Sequence, residues 1–332
     1  MLATPSRIPR IVLASVLGAL LLAGLALLAT GCSDSVAAAG IGTSSQTTDA
    51  LAVLPSDADV YGMTNLAEAR GSDALATALG GSGLGMVSER GSADFQDFVR
   101  MTGFDPAEDL DRMYVAVSDG MDERAAFVAY GRFDRERIER YLADSDEADF
   151  EVTQIEGTAV YLTTSEDGRR GGFALASDQM VLAGDEATLT GMVQRLGTTA
   201  RPAGPDLQAL FDRVAFPDDA WFVARGLDRV TGEIPAEAGP SALAARAAAG
   251  FVLSMRFDDD GVPVRAFLAT KPEANPDDVG DVVRAGLSAM RIGMKDEPSA
   301  LDVLDGVDVT AEAEGVRVEG FLTPAFLASA QR

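Results

Sequence analysis

From Ile11 to Cys32 the chain is apolar almost without interruption, and two arginines, Arg7 and Arg10, precede the run. A basic start, an apolar segment and a small-residue exit are the layout of a secretory leader. Ser33 to Ala50 is small and polar with no apolar period. It predicts a flexible tether spanning about 20–25 Å by random-coil scaling. The folded part is expected to begin near Leu51.

Asp59–Thr64 then reads as a first strand, after the Leu54-Pro55-Ser56-Asp57 turn. Ser72 caps an expected short helix through Leu79, and Ser92 caps a second, with Phe95, Phe98, Val99 and Thr102 on one face and Gly103 ending it. In Asp105-Pro106-Ala107-Glu108, Asp105 accepts amide bonds, Pro106 presets the first turn and Glu108 completes a capping box. Strands follow at Met113–Val117 and Ala125–Tyr130, then a helix capped by Asp134 in which Phe133 and Ile138 have staple spacing. Four more strands are expected near Phe150–Gln154, Ala159–Thr164, Gly172–Ala176 and Met180–Ala183, then a helix over Glu186–Arg195.

The pattern then starts again. Leu54-Pro55-Ser56-Asp57-Ala58-Asp59-Val60-Tyr61 returns as Phe216-Pro217-Asp218-Asp219-Ala220-Trp221-Phe222-Val223. A small-residue helix (Ser241–Ala248), a hairpin (Phe251–Phe257 with Val262–Ala269), a helix capped by Asn275, two strands and a last helix from Pro324 follow. One strand pair of the first series is missing. This predicts an α+β fold of two similar halves, 51–200 and 201–332, each mostly antiparallel sheet with helices on one face. Val60 and Phe222 should point to equivalent core sides. Trp221, aligned with Asp59, is expected to face inward.

Leu28-Ala29-Thr30-Gly31-Cys32 resembles the lipobox of bacterial lipoprotein precursors. The resemblance implies that the Cys32 sulfur receives a diacylglycerol, that residues 1–31 are removed, and that the new amino terminus is acylated. Ala29 stands where the family has leucine, with Leu28 one step too early. Two other outcomes therefore stay open: ordinary signal-peptidase cleavage releasing a soluble protein, or an uncleaved anchor, since about 20 apolar residues span a bilayer. Ser33 after the cysteine, where the family's sorting rules distinguish aspartate, favours an outer membrane if the cell has one. Thr102 to Leu110 and the paired Pro-x-Asp-Ala openings also resemble uncharacterised duplicated α+β proteins exported by bacteria. That resemblance implies an architecture and no activity.

Composition changes the picture in three ways. The chain carries −25; the leader holds two arginines and no acid, so the part beyond it carries −27. Such a surface repels nucleic acid and anionic headgroups and suits basic partners or plain solubility. Cys32 is the only cysteine, so no intrachain disulfide forms. There is no histidine, which removes Ser-His-Asp and Cys-His catalysis and His-ligated zinc.

The remaining candidates read as structure. Gly80-Gly81-Ser82-Gly83-Leu84 lacks the closing glycine and the base of a nucleophile elbow, and no Lys-Ser/Thr follows it. Asp144-Ser145-Asp146-Glu147-Ala148-Asp149 fails the calcium-loop pattern, which needs glycine at Asp149 and glutamate at Ile155. Asp258-Asp259-Asp260-Gly261 is first a hairpin turn. The expectation is an envelope-anchored, non-enzymatic binding or structural lipoprotein, tethered over 32–50 and lipidated at Cys32. It needs no cofactor, metal or catalytic residue, and its protein or small-molecule partner is unspecified. A carboxylate-dependent hydrolase of envelope glycans is the alternative. A strongly raised carboxyl pKa in a cleft collecting acids from both halves would favour the enzyme.

Overall fold

A computed structural model describes residues 44–78, 93–118, 124–144, 150–165, 168–198, 205–225 and 240–329. The strands are β1 (Val60–Asn65), β2 (Leu110–Ser118), β3 (Arg124–Gly131), β4 (Glu151–Ile155), β5 (Thr158–Thr164), β6 (Arg170–Ser177), β7 (Met180–Asp185), β8 (Ala220–Arg225), β9 (Ala248–Met255), β10 (Val262–Thr270), β11 (Asp308–Glu312) and β12 (Gly315–Leu322). They form one 12-stranded sheet in the order β11-β12-β10-β9-β8-β1-β2-β3-β7-β6-β5-β4. Every neighbouring pair is antiparallel. With its helices, the fold is α+β.

The helices before β5 are α1 (Ser45–Val53), α2 (Leu66–Gly71), α3 (Asp73–Ala78), α4 (Ala93–Thr102), α5 (Pro106–Asp109) and α6 (Arg135–Asp144). Those after it are α7 (Glu186–Gln194), α8 (Pro205–Phe211), α9 (Pro240–Ala247), α10 (Pro276–Gly293), α11 (Pro298–Asp305) and α12 (Pro324–Ser329).

At the sheet's centre β1 pairs with β8, Tyr61 opposite Val223, Met63 opposite Trp221 and Gly62 opposite Phe222. Side chains alternate across the pleat, so Tyr61, Met63, Trp221 and Val223 share one face. There they join Tyr114, Val128 and Leu182 in a core closed by Ala50 and Leu51 of α1, Leu189 and Met192 of α7, and Leu207 and Phe211 of α8. Val60 and Phe222 point to the other face, as expected, with Leu253 and Val318 beneath Val279, Val283 and Leu287 of α10 and Val303 of α11. At the far end of that face Phe104, Phe133, Ile138, Tyr161 and Leu175 make a third cluster. Trp221 is 2% exposed and faces inward.

Three expectations need correction. Helices cover both faces of the sheet, not one. The central strands demanded it: Ala220–Ala224 is buried throughout, and a strand apolar on both sides must be covered on both sides. The expected tether is also too long, because α1 takes its last six residues. Ser44 Oγ accepts the Thr47 amide at 3.1 Å, the Thr47 hydroxyl meets the Tyr114 hydroxyl at 2.9 Å, and Ala50 is wholly buried. Ser45-Gln46-Thr47-Thr48-Asp49 has no apolar period, and tertiary packing supplies its helicity. Finally, Asp105 caps α5 through the Ala107 amide at 2.9 Å, but the reciprocal acceptor for its own amide is Asp109 at 2.8 Å, not Glu108.

The β4–β5 turn is Glu156-Gly157, with φ of 49° and 81°. Two successive left-handed residues match a tight hairpin's twist, and glycine supplies the second without strain.

Candidate functional site

Cys32, Gly80 to Leu84 and Ser145 to Asp149 lie outside the described residues; Asp144 is the last residue of α6. Asp258 to Gly261 is a hairpin turn, as expected, closed by the Asp258–Gly261 bridge. Arg256 donates from Nε and Nη2 to the Asp258 carboxylate at 3.0 and 2.8 Å.

Around that turn the structure gathers acids that are distant in sequence. Asn65, the last residue of β1, organises the junction. Its amide donates to Asp219 O at 2.6 Å and its Nδ2 to Asp218 O at 2.8 Å, while its Oδ1 caps α2 at the Glu68 amide. Ser72 Oγ donates to Asp258 O at 2.9 Å and accepts the Leu75 amide at 3.3 Å, holding the start of α3 to the hairpin. Asp219 is half-buried here. Burial first, then repulsion from Glu68, Asp218 and Asp258, lifts its carboxyl to about 6, against the pull of Arg256. A carboxyl at that value can hold or release a proton near neutrality. Among the described residues no cluster of three or more carboxylates is placed to bind a metal.

Beside the junction, the face of β10, β12 and β11 that continues the Trp221 side carries ion pairs next to the buried Phe267. Arg265 pairs with Glu319, and Arg317 with Glu312 at 3.2 Å and Glu319 at 3.9 Å. Arg213 pairs with Glu312 at 2.8 Å and Glu314 at 2.5 Å, and its guanidinium lies 4.4 Å from the Phe267 ring centre. Arg256 and Arg265 approach the Phe216 ring at 5.2 and 5.9 Å. Arg213, Arg256, Arg265 and Arg317 are thus each paired with a carboxylate of Glu312, Glu314, Glu319 or Asp258.

Sequence reasoning missed the junction. The doubled acid Asp218-Asp219 was its only local sign, and its other members, Glu68 and Asp258, arrive through β1–β8 pairing and the β9–β10 hairpin. Abundance also hid it, since 52 acidic side chains offer many equal candidates.

No family model matches the chain, and no curated protein matches it. Among solved structures it is similar to crystal form III of TP0453, at 14% identity and a TM-score of 0.49, over 85% of this chain and 96% of that one. Crystal form I of the same protein gives 13% identity and a TM-score of 0.47, over 86% and 96%. With TM-scores below 0.5, this likeness carries no argument about function.

Proposed function

We propose that this protein is an envelope-anchored lipoprotein that binds or scaffolds and is not an enzyme. The observation that carries this is Cys32: the only cysteine closes the apolar run of the leader, and α1, the first described element, starts soon after at its Ser44 cap. Acylation there anchors the chain firmly, because each buried methylene contributes about 0.8 kcal/mol and more than one chain is attached. Residues 33–43 then serve as the tether, and the body stands outside the cytoplasm, on the outer membrane where the cell has one. The acidic surface turns away nucleic acid.

The body itself we read as two similar α+β halves that meet at β1 and β8. The sequence repeat pairs Tyr61 with Val223 by position, and in the sheet those same two residues lie opposite each other. On this reading a local twofold through that pair would exchange β1-β2-β3-β7-β6 with β8-β9-β10-β12-β11 and leave β4–β5 over at one end, and the strand order supports it.

Intact mass and detergent partitioning of the expressed protein test the anchor. The expected result is a mass increased by acyl chains and loss of membrane partitioning in Cys32→Ser. An unmodified Cys32, or a variant that stays in the membrane, overturns it.

The second reading, a carboxylate-dependent hydrolase of envelope glycans, draws its support from Asp219, whose raised carboxyl sits among acids from both halves. Turnover of glycan substrates that Asp219→Asn abolishes, with the fold intact, would replace the first reading by this one.

A further inference from the structure

Among the described residues, the two edges of the sheet, β11 and β4, differ. At β11 the Arg284 side chain reaches the strand and donates to Val309 O at 2.8 Å, while α10, which carries Arg284, packs alongside. A charged side chain laid on an edge carbonyl is one of the ways a sheet is kept from adding a strand. At β4, among the described residues, no side chain is hydrogen-bonded to the strand's backbone. Its register with β5 runs from Glu151–Leu162 to Ile155–Thr158 without a bulge, so the outer edge offers a regular row of N–H and C=O groups. The strand has no proline, and Val152 is 56% exposed. Charge sets the partner's chemistry. Glu151 has 70% of its side chain exposed beyond its 2.7 Å pair with Arg170, and Glu156 stands exposed at the adjoining turn. A second copy would bring these acids, and a net charge of −25, against their own like.

We infer that the outer edge of β4 docks an extended basic segment of a partner protein, which adds to the sheet as a further antiparallel or parallel strand. Backbone hydrogen bonds supply the affinity, an apolar side chain packs on Val152, and lysine or arginine faces Glu151 and Glu156. The inference deepens the binding reading but does not need the lipid: Cys32→Ser leaves the edge intact, so the two fail separately.

The test uses the full chain in detergent and a short fluorescent peptide alternating lysine with valine and threonine. Binding is read by anisotropy, and hydrogen exchange locates it. The expected result is slowed exchange at 151–155 and none at 308–312. Affinity should fall about tenfold in Val152→Lys, which places a like charge at an exposed position, and about tenfold when alternate peptide nitrogens are methylated. Binding of the methylated peptide as tightly as its parent, or binding without protection at 151–155, would mean attraction to the acidic surface alone and overturn the proposal. Protection at 151–155 that rises with protein concentration in the absence of peptide would make the occupant a second copy, and also overturn it.

Discussion

Tyr61 lies directly opposite Val223 where β1 meets β8, and both are wholly buried. The Tyr61 hydroxyl donates to Pro55 O at 2.5 Å, and burial pushes its proton affinity well above the ordinary tyrosine range. The opening turn of the first series is thereby tied to the pair at the centre of the sheet. From that centre the folded body can be probed in both directions.

Asp219 makes stability depend on pH in a stated direction. Its folded carboxyl titrates near 6, above the unfolded value of 3.8, so the folded state holds the proton more tightly. Its favourable contribution is complete below about pH 4, is lost as pH rises to about 6, and is absent above. Asp219→Asn should therefore be more stable than the parent near pH 7, by about 1 kcal/mol once screening of a half-exposed group is allowed for. Near pH 4 the two should match. Urea melts at both pH values check this, and equal midpoints near pH 7 would refute the assignment.

Trp221 is packed edge-on against Phe211 at 5.7 Å, and its Nε1 has no hydrogen-bond partner among the described residues. Removing that N–H leaves no partner stranded. Trp221→Phe should thus cost only about 1–2 kcal/mol, and Trp221→Ala about 3–5 kcal/mol. As the only tryptophan, it should emit at short wavelength when folded and shift red on unfolding, and the Phe variant should be dark. Emission already red in the native protein would contradict its burial.

The first described helix, α1, starts at its Ser44 cap, and the proposed tether precedes it. Truncation before Ser44 should leave the melting temperature of the remaining body unchanged within a degree or two. Truncation through Leu54 removes Ala50, Leu51, Val53 and Leu54 from the core and the Thr47 partner from Tyr114, and should prevent cooperative folding. Circular dichroism melts of the two truncations separate these outcomes.

Gly172 sits where a Cβ would come 1.9 Å from Tyr161 O on β5. Because the obstacle is backbone, Gly172→Ala should cost about 2 kcal/mol or more. Gly157, at φ 81° with open space around it, should lose only about 1 kcal/mol on the same change. If the two variants melt alike, the close approach of β6 to β5 is wrong.

Much of this architecture is written locally. The caps at Asp105, Asp134 and Asn275 and the Asp258 to Gly261 turn all depend on residues within a few positions of each other, and the physics that forms them acts over that range. The matching Pro-x-Asp-Ala openings likewise stand in the sequence, as does Cys32 at the end of its apolar run. Partnership between strands does not. That β1 and β8 pair, so that the sheet is continuous, is decided by apolar side chains on both sides of each strand, which two separate one-faced layers would leave in water. The same cause made a helix of Ser45–Val53, whose first residues carry no period, by burying Ala50 and Leu51 under α7. It also set Glu68, Asp218, Asp219 and Asp258 around one half-buried carboxyl, because residues far apart along the chain acquire a shared electrostatic environment only when long-range pairing brings them together.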